Sequence, residues 1–183
     1  MLVAAKRKDN SLICFLLFLC LFFQSCAKFK KIEGDVGLKK IYNKKSRCQI
    51  EYMYKIIGGK EVKHGLYKEV KDIFEPWKGK EILVTEINYS FGKKEGAFEE
   101  YYLKLETNKK FPVIQSNYKN DLLEGEEKKF IYQYLRSDRF EYYLSLKATF
   151  KNGKPHGLTE SYNHKGKRTS STIYENGIRN GIS

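Results

Sequence analysis

Through the middle of the chain, side chains sort by alternate positions. Leu83, Thr85, Ile87, Tyr89 and Phe91 form one such series, Ala97, Glu99, Tyr101, Leu103 and Leu105 a second, and Leu146, Ala148 and Phe150 a third. Period two over such runs predicts strands, each with one buried face. Asn152-Gly153 and Asn176-Gly177 sit where a tight turn between two strands needs positive φ at both central residues. One stretch has another period. Leu66, Val70, Ile73, Phe74 and Trp77 fall at helical spacing, which offers a short helix over 66–77, ended near Pro76, against a strand there. The fold class expected is therefore mainly all-β. Composition agrees, because aromatics make up 15%, most of them Tyr and Phe, with 3 Pro and 1 Trp.

The opening residues have no such alternation. Lys6, Arg7 and Lys8 form a basic cluster, and an uncharged run follows in which Leu12 to Phe23 are 12 apolar residues. A membrane-spanning helix needs roughly 20 residues, so the run predicts the apolar part of an export signal over 1–25. A buried helix would have to be apolar all round directly after a basic cluster. The segment ends in LFFQSC, Leu21 to Cys26. Ser25 followed by Cys26 resembles the cleavage box of bacterial lipoprotein signal peptides, although Phe23 and Gln24 depart from its strict form. The resemblance implies that Cys26 is diacylated, becomes the new N-terminus and anchors the chain in the cell envelope, at the outer membrane or cell surface rather than the inner membrane. Two or three acyl chains hold where one gives marginal binding. The alternative is an ordinary secretory signal with an incidental Cys26.

Of the 4 cysteines, Cys14 and Cys20 would leave with the signal and Cys26 would carry lipid, so Cys48 stands alone. That leaves no disulfide framework and no cysteine metal site; without lipidation, a Cys26–Cys48 bridge is the other option. Residues 26–50, rich in Lys and Gly, read as a solvated tether whose lysines could also lie against anionic lipid.

From residue 51 to 183 the chain repeats itself. YSFGKKEGAFEEY, YKNDLLEGEEKKF and FKNGKPHGLTESY align as Tyr89, Gly92, Gly96, Tyr101, then Tyr118, Asp121, Gly125, Phe130, then Phe150, Gly153, Gly157, Tyr162. A further copy begins with Tyr174, Gly177 and Gly181. A weaker one has Gly65 and Val70 in the corresponding places, with Glu61 where a first corner glycine is expected. These segments resemble divergent bacterial MORN-type repeats, with their NGxxxG corner followed by Glu and Tyr. The resemblance implies stacked two-stranded hairpins forming an elongated, twisted sheet, and a scaffold or binding surface rather than an enzyme. Some proteins with this repeat are described as antitoxin components, which makes an antitoxin- or immunity-like protein that neutralises a partner the second reading. The bracketing aromatics Tyr89, Tyr101, Tyr118, Phe130, Phe150, Tyr162 and Tyr174 are the candidate binding-face residues.

Candidate chemistry weighs little against this. The corner NGKPHGLTES lacks the spacing and the Lys-Ser/Thr pair of a phosphate-binding loop. His64 and His156 each precede a repeat glycine, but Glu95, Glu124 and Asn180 hold the same slot in other copies, which marks a polar turn position. Glu99-Glu100 and Glu126-Glu127 are neighbours on strands and so face opposite ways, unsuited to joint acid–base work. No catalytic, cofactor or metal residues are assigned. A balance of 35 Lys+Arg against 22 Asp+Glu gives a net charge of +13. In an exported chain this charge meets anionic envelope components or an acidic protein rather than nucleic acid.

Overall fold

The computed structural model describes residues 36–75, 79–134 and 140–180. The expected signal segment 1–25, Cys26, Pro76, Trp77 and the corner Gly181 lie outside them. The described residues fold as a single open antiparallel sheet, all-β as the alternation predicts. It opens with β1 (Val36–Asn43), β2 (Cys48–Ile57), β3 (Lys60–Glu75) and β4 (Gly79–Ser90). Its middle is β5 (Lys93–Lys104), β6 (Lys109–Lys119), the short β7 (Leu122–Leu123) and β8 (Gly125–Tyr134). β9 (Phe140–Lys151), β10 (Lys154–Tyr162), β11 (Arg168–Glu175) and the short β12 (Ile178–Arg179) follow. Strands pair in chain order, except that β7 pairs with β6 and β8 continues the path.

Three expectations are corrected. The described part of the stretch 66–77 is not a helix: up to Glu75 it belongs to β3, paired with β2 through Tyr67–Tyr52 and with β4 through Val70–Val84. Apolar groups at helical spacing serve here because both faces of β3 take them, Val70 on one and Tyr67 and Ile73 on the other. Pairing on two sides outweighs a weak local preference. Strand pairing also starts at Val36 rather than near residue 51, so β1 lies inside the segment read as a tether, with Leu38 opposite Met53 and Ile41 opposite Ile50. Nor is a single face buried. Val84 and Tyr101, 1% and 2% exposed, lie on one side of the sheet, and Ile87, 3% exposed, lies on the other. Among the described residues no second layer covers the strands, so long side chains from neighbouring strands screen each face.

The corners share one construction. The turns Gly58-Gly59, Phe91-Gly92, Asn120-Asp121, Asn152-Gly153 and Asn176-Gly177 each have positive φ at both positions. These are the two-residue hairpin turns whose twist matches that of the strands. A few residues on, Gly65, Gly96 and Gly157 mark bulges where the register slips, and Gly125 stands in the same place on β8. Glu61 replaces a glycine because the first hairpin is longer: its turn is Gly58-Gly59, and Lys60 to Lys63 pair back to Tyr54. Tyr54 is thus the leading aromatic of this copy.

The bulge glycine of each copy lies opposite the leading aromatic of the next. The register pairs are Gly65–Tyr89, Gly96–Tyr118, Gly125–Phe150 and Gly157–Tyr174. Gly37–Tyr54 completes the series at the first described strand. There the Tyr54 ring lies over the Gly37 backbone, so close that a Cβ on residue 37 would clash with the tip of the ring.

The polar slot before each bulge glycine stitches successive corners together. Glu95 accepts from the Asn120 amide at 3.0 Å and Glu124 from the Asn152 amide at 2.8 Å. His64 accepts from the Phe91 amide and His156 from the Asn176 amide, both through Nδ1. Beside each runs a backbone bond, such as Gly153 N–H to the Leu123 carbonyl at 2.9 Å.

Candidate binding surface

On the face that carries Val84 and Tyr101, the register brings one polar residue per strand into line. The row runs Lys40, Glu51, Lys68, Glu86, Glu99, Gln115, Lys128, Lys147, Glu160 and Ser171, each the cross-strand partner of the next. With strands ~4.8 Å apart, such a row is about 40 Å long. Lys40 meets Glu51 at 3.0 Å, Lys68 meets Glu86 at 2.7 Å and Gln115 donates to Glu99 at 2.9 Å. Glu126, two residues before Lys128 on β8, bridges Lys128 and Lys147 at 2.8 Å each. Arg168 reaches Glu160 at 2.8 Å.

Two side chains support the row from within. The Tyr101 hydroxyl donates to Glu86 at 3.2 Å, and the Lys110 ammonium lies 4.2 Å from the centre of the Tyr101 ring. Burial raises the Tyr101 phenol, and the charge of Glu86 adds to it. Burial alone would raise Glu86 too, but the Lys68 hydrogen bond and charge outweigh it and hold the carboxyl below its ordinary value. Exposed ion pairs contribute about 0–1 kcal/mol each, so this row presents charge more than it holds the fold.

The opposite face is aromatic. Lys63 projects among three rings, 5.5 Å from Tyr52, 4.4 Å from Tyr67 and 4.9 Å from Tyr89. Burial, then repulsion from Lys94, lowers its ammonium pKa. Further along, Tyr132 lies 4.7 Å from Tyr102 and 4.9 Å from Phe111, and Tyr142 lies 5.5 Å from both Phe111 and Phe130. These rings span a joint where β6 meets β8 only at Ile114–Lys129 and Gln115–Lys128 among the described residues. On the charged face the same joint carries a shallow depression of about 350 Å³, lined in part by Ala97, Glu99, Gln115, Asn117, Glu126 and Lys128. Ser116, 6% exposed and also in its lining, has a hydroxyl with no hydrogen-bond partner.

The candidate aromatics are placed differently from one another. Tyr101 is buried and cannot present its ring to a partner, a correction that follows from its position under Lys110 and opposite Val84. Tyr89, Tyr118, Phe130, Phe150, Tyr162 and Tyr174 are half-buried. Tyr162 turns its hydroxyl to Glu160 at 2.8 Å. Gly92, Gly153 and Gly177 hold turns, and Gly65, Gly96, Gly125 and Gly157 hold bulge positions, all with positive φ.

One cluster lay outside the sequence reading. Cys48, a buried free thiol, donates to Glu69 at 3.4 Å; Tyr67 donates to the same carboxylate at 2.9 Å and Lys71 pairs with it at 3.0 Å. Burial first, then the Glu69 bond and charge, pushes the thiol up, away from the thiolate a nucleophile needs. The carboxylate neighbours are also settled: Glu100 accepts from Thr85 at 3.3 Å and Glu127 pairs with Lys129 at 3.2 Å. Among the described residues no group of three His, Cys, Asp or Glu converges as a metal site. Comparison of the chain with protein-family models, curated proteins and solved structures yields no match.

Proposed function

We propose that the chain is a lipid-anchored envelope protein, held through Cys26, whose sheet is a non-catalytic binding or scaffold surface. The observation that carries this reading is the row from Lys40 to Ser171. It puts one polar or charged group on each of ten strands in register, a linear and periodic surface suited to an extended partner. The Lys excess of the whole chain favours an acidic protein or an anionic envelope polymer. The groups that could have done chemistry are tied up in the fold: both corner histidines in turns, Glu69 with Cys48, Glu86 with Lys68.

Capture from envelope extract tests the surface, using the chain with residues 27–183 on beads and a charge-reversed K68E/K147E form beside it. Recovery of one partner by the first and not by the second is the expected result. Equal recovery by both would remove the row from the function, and recovery by neither would remove the binding role. Mass spectrometry of the mature N-terminus tests the anchor separately: acyl chains on Cys26 are expected, and an intact Met1 would overturn it.

A further inference from the structure

The four corner stitches share one geometry and differ in their acceptor. At the two inner junctions it is a carboxylate, Glu95 and Glu124. At the two outer ones it is an imidazole: His64 Nδ1 lies 3.3 Å from the Phe91 amide nitrogen and His156 Nδ1 lies 3.4 Å from that of Asn176. A backbone N–H can only donate. Each Nδ1 must therefore present its lone pair, which requires the neutral ring with its proton on Nε2. Carboxylates keep their acceptor oxygens down to about pH 4, whereas imidazole is the side chain that gains its proton between about pH 5 and 8.

We propose that His64 and His156 are acid-released catches: a proton on Nδ1 turns each acceptor into a donor facing a donor, so the two outer junctions loosen in mild acid while the inner two hold. Most of the charged groups on the neighbouring strands are cationic. Against His64 stands the Phe91 ring at 4.9 Å, with Lys55 of β2 over that same ring at 5.4 Å, while its chain neighbour Lys63 turns to Tyr89 and the aromatic face. On the strands about His156, Lys154 lies two residues before it with Lys151 opposite on β9, and Glu175 precedes Asn176 on β11, its carboxylate accepting from the Asn180 side-chain amide at 3.0 Å. Among the described residues neither imidazole is ion-paired to a carboxylate. The loosening is local, because the parallel bonds from Gly92 to the Lys63 carbonyl and from Gly177 to the Pro155 carbonyl, both 2.8 Å, do not titrate.

Amide hydrogen exchange on the full chain, corrected for its intrinsic pH dependence, tests this from about pH 8 to about pH 5. The amides of Phe91 and Asn176 should lose protection about fivefold through the imidazole range, the effect of one ordinary hydrogen bond. Those of Asn120 and Asn152 should not change and serve as internal controls. His64→Gln and His156→Gln keep an acceptor that does not titrate, and each should abolish the response at its own junction alone. Outer amides that track the inner ones, a response that survives in both Gln variants, or imidazole nitrogen shifts placing the neutral proton on Nδ1 would each overturn the proposal.

Discussion

The backbone N–H of Asn152 donates to the Glu124 carboxylate at 2.8 Å across 28 residues of chain. Asn152 opens one hairpin turn and Glu124 precedes the bulge of the hairpin before it, so a single bond couples two repeat copies. Hydrogen bonds to charged groups contribute about 1.5–3 kcal/mol, less where exposed. Glu124→Ala should therefore lower stability by about 1 kcal/mol, with Glu124→Gln, which keeps an acceptor, recovering most of the loss. Urea unfolding with an unchanged m-value would identify the effect as folded-state stability.

Among the described residues Phe91 is the one aromatic at a turn position that needs positive φ, with φ 49° and 63% exposure. A bulky side chain there costs about 1–3 kcal/mol that Asn or Gly avoids. Its contacts with His64 and Lys55 recover part of this. Phe91→Asn should raise stability by about 1 kcal/mol, seen as a higher melting temperature. The reverse change, Asn152→Phe, should lower it by a similar amount.

Gly37 has no room for a methyl group under the Tyr54 ring. Only the tip of the half-buried Tyr54 ring stands in the way, so Gly37→Ala should push that ring aside at less than the about 1–3 kcal/mol of core overpacking, and loosen β1 first. In a double-mutant cycle with Tyr54→Ala the two losses should be less than additive, since removing the ring removes the clash. Strict additivity would place the cost in the strand backbone instead.

Glu86 carries a testable pH dependence. Its carboxyl is held below the ordinary value in the folded chain, chiefly by Lys68 once burial is overcome. Its contribution is therefore fully present above the ordinary glutamate pKa of about 4.3 and is lost as pH falls through the lower folded value. Wild-type stability should decline over that acid window, and Glu86→Gln should flatten part of the decline. Denaturation midpoints at a series of acid pH values measure both.

Ser116 offers the opposite case, a buried hydroxyl without a partner. An unsatisfied buried polar group costs about 1–3 kcal/mol, so Ser116→Ala should be neutral or stabilising by up to about 1 kcal/mol. A clear loss of stability in urea would mean that the hydroxyl has a bonding role at the β6–β8 joint.

The repeat of corner glycines and aromatics was legible because turns and bulges are local. Positive φ at Asn152-Gly153 restricts residue choice whatever surrounds it, and period two marks a strand on its own. The polar slot was also visible, as the place where His64, Glu95, Glu124 and His156 recur. Its partners were not, since each acceptor finds an amide in the next copy, 20 to 28 residues away. The first copy was misaligned because a hairpin lengthened by paired residues leaves no local mark, and so Tyr54 and β1 were missed.

By itself, then, the amino-acid order settled the all-β class, the hairpin corners and the repeat, all consequences of backbone sterics and side-chain alternation. Pairing between strands decided the rest. It made Leu66 to Phe74 part of a strand with two neighbours, buried Tyr101 beneath Lys110, and spread burial over both faces, since no second layer covers the sheet among the described residues. It also aligned Lys40 through Ser171, because a cross-strand row exists only once every register is set, and register depends on partners far apart in the chain.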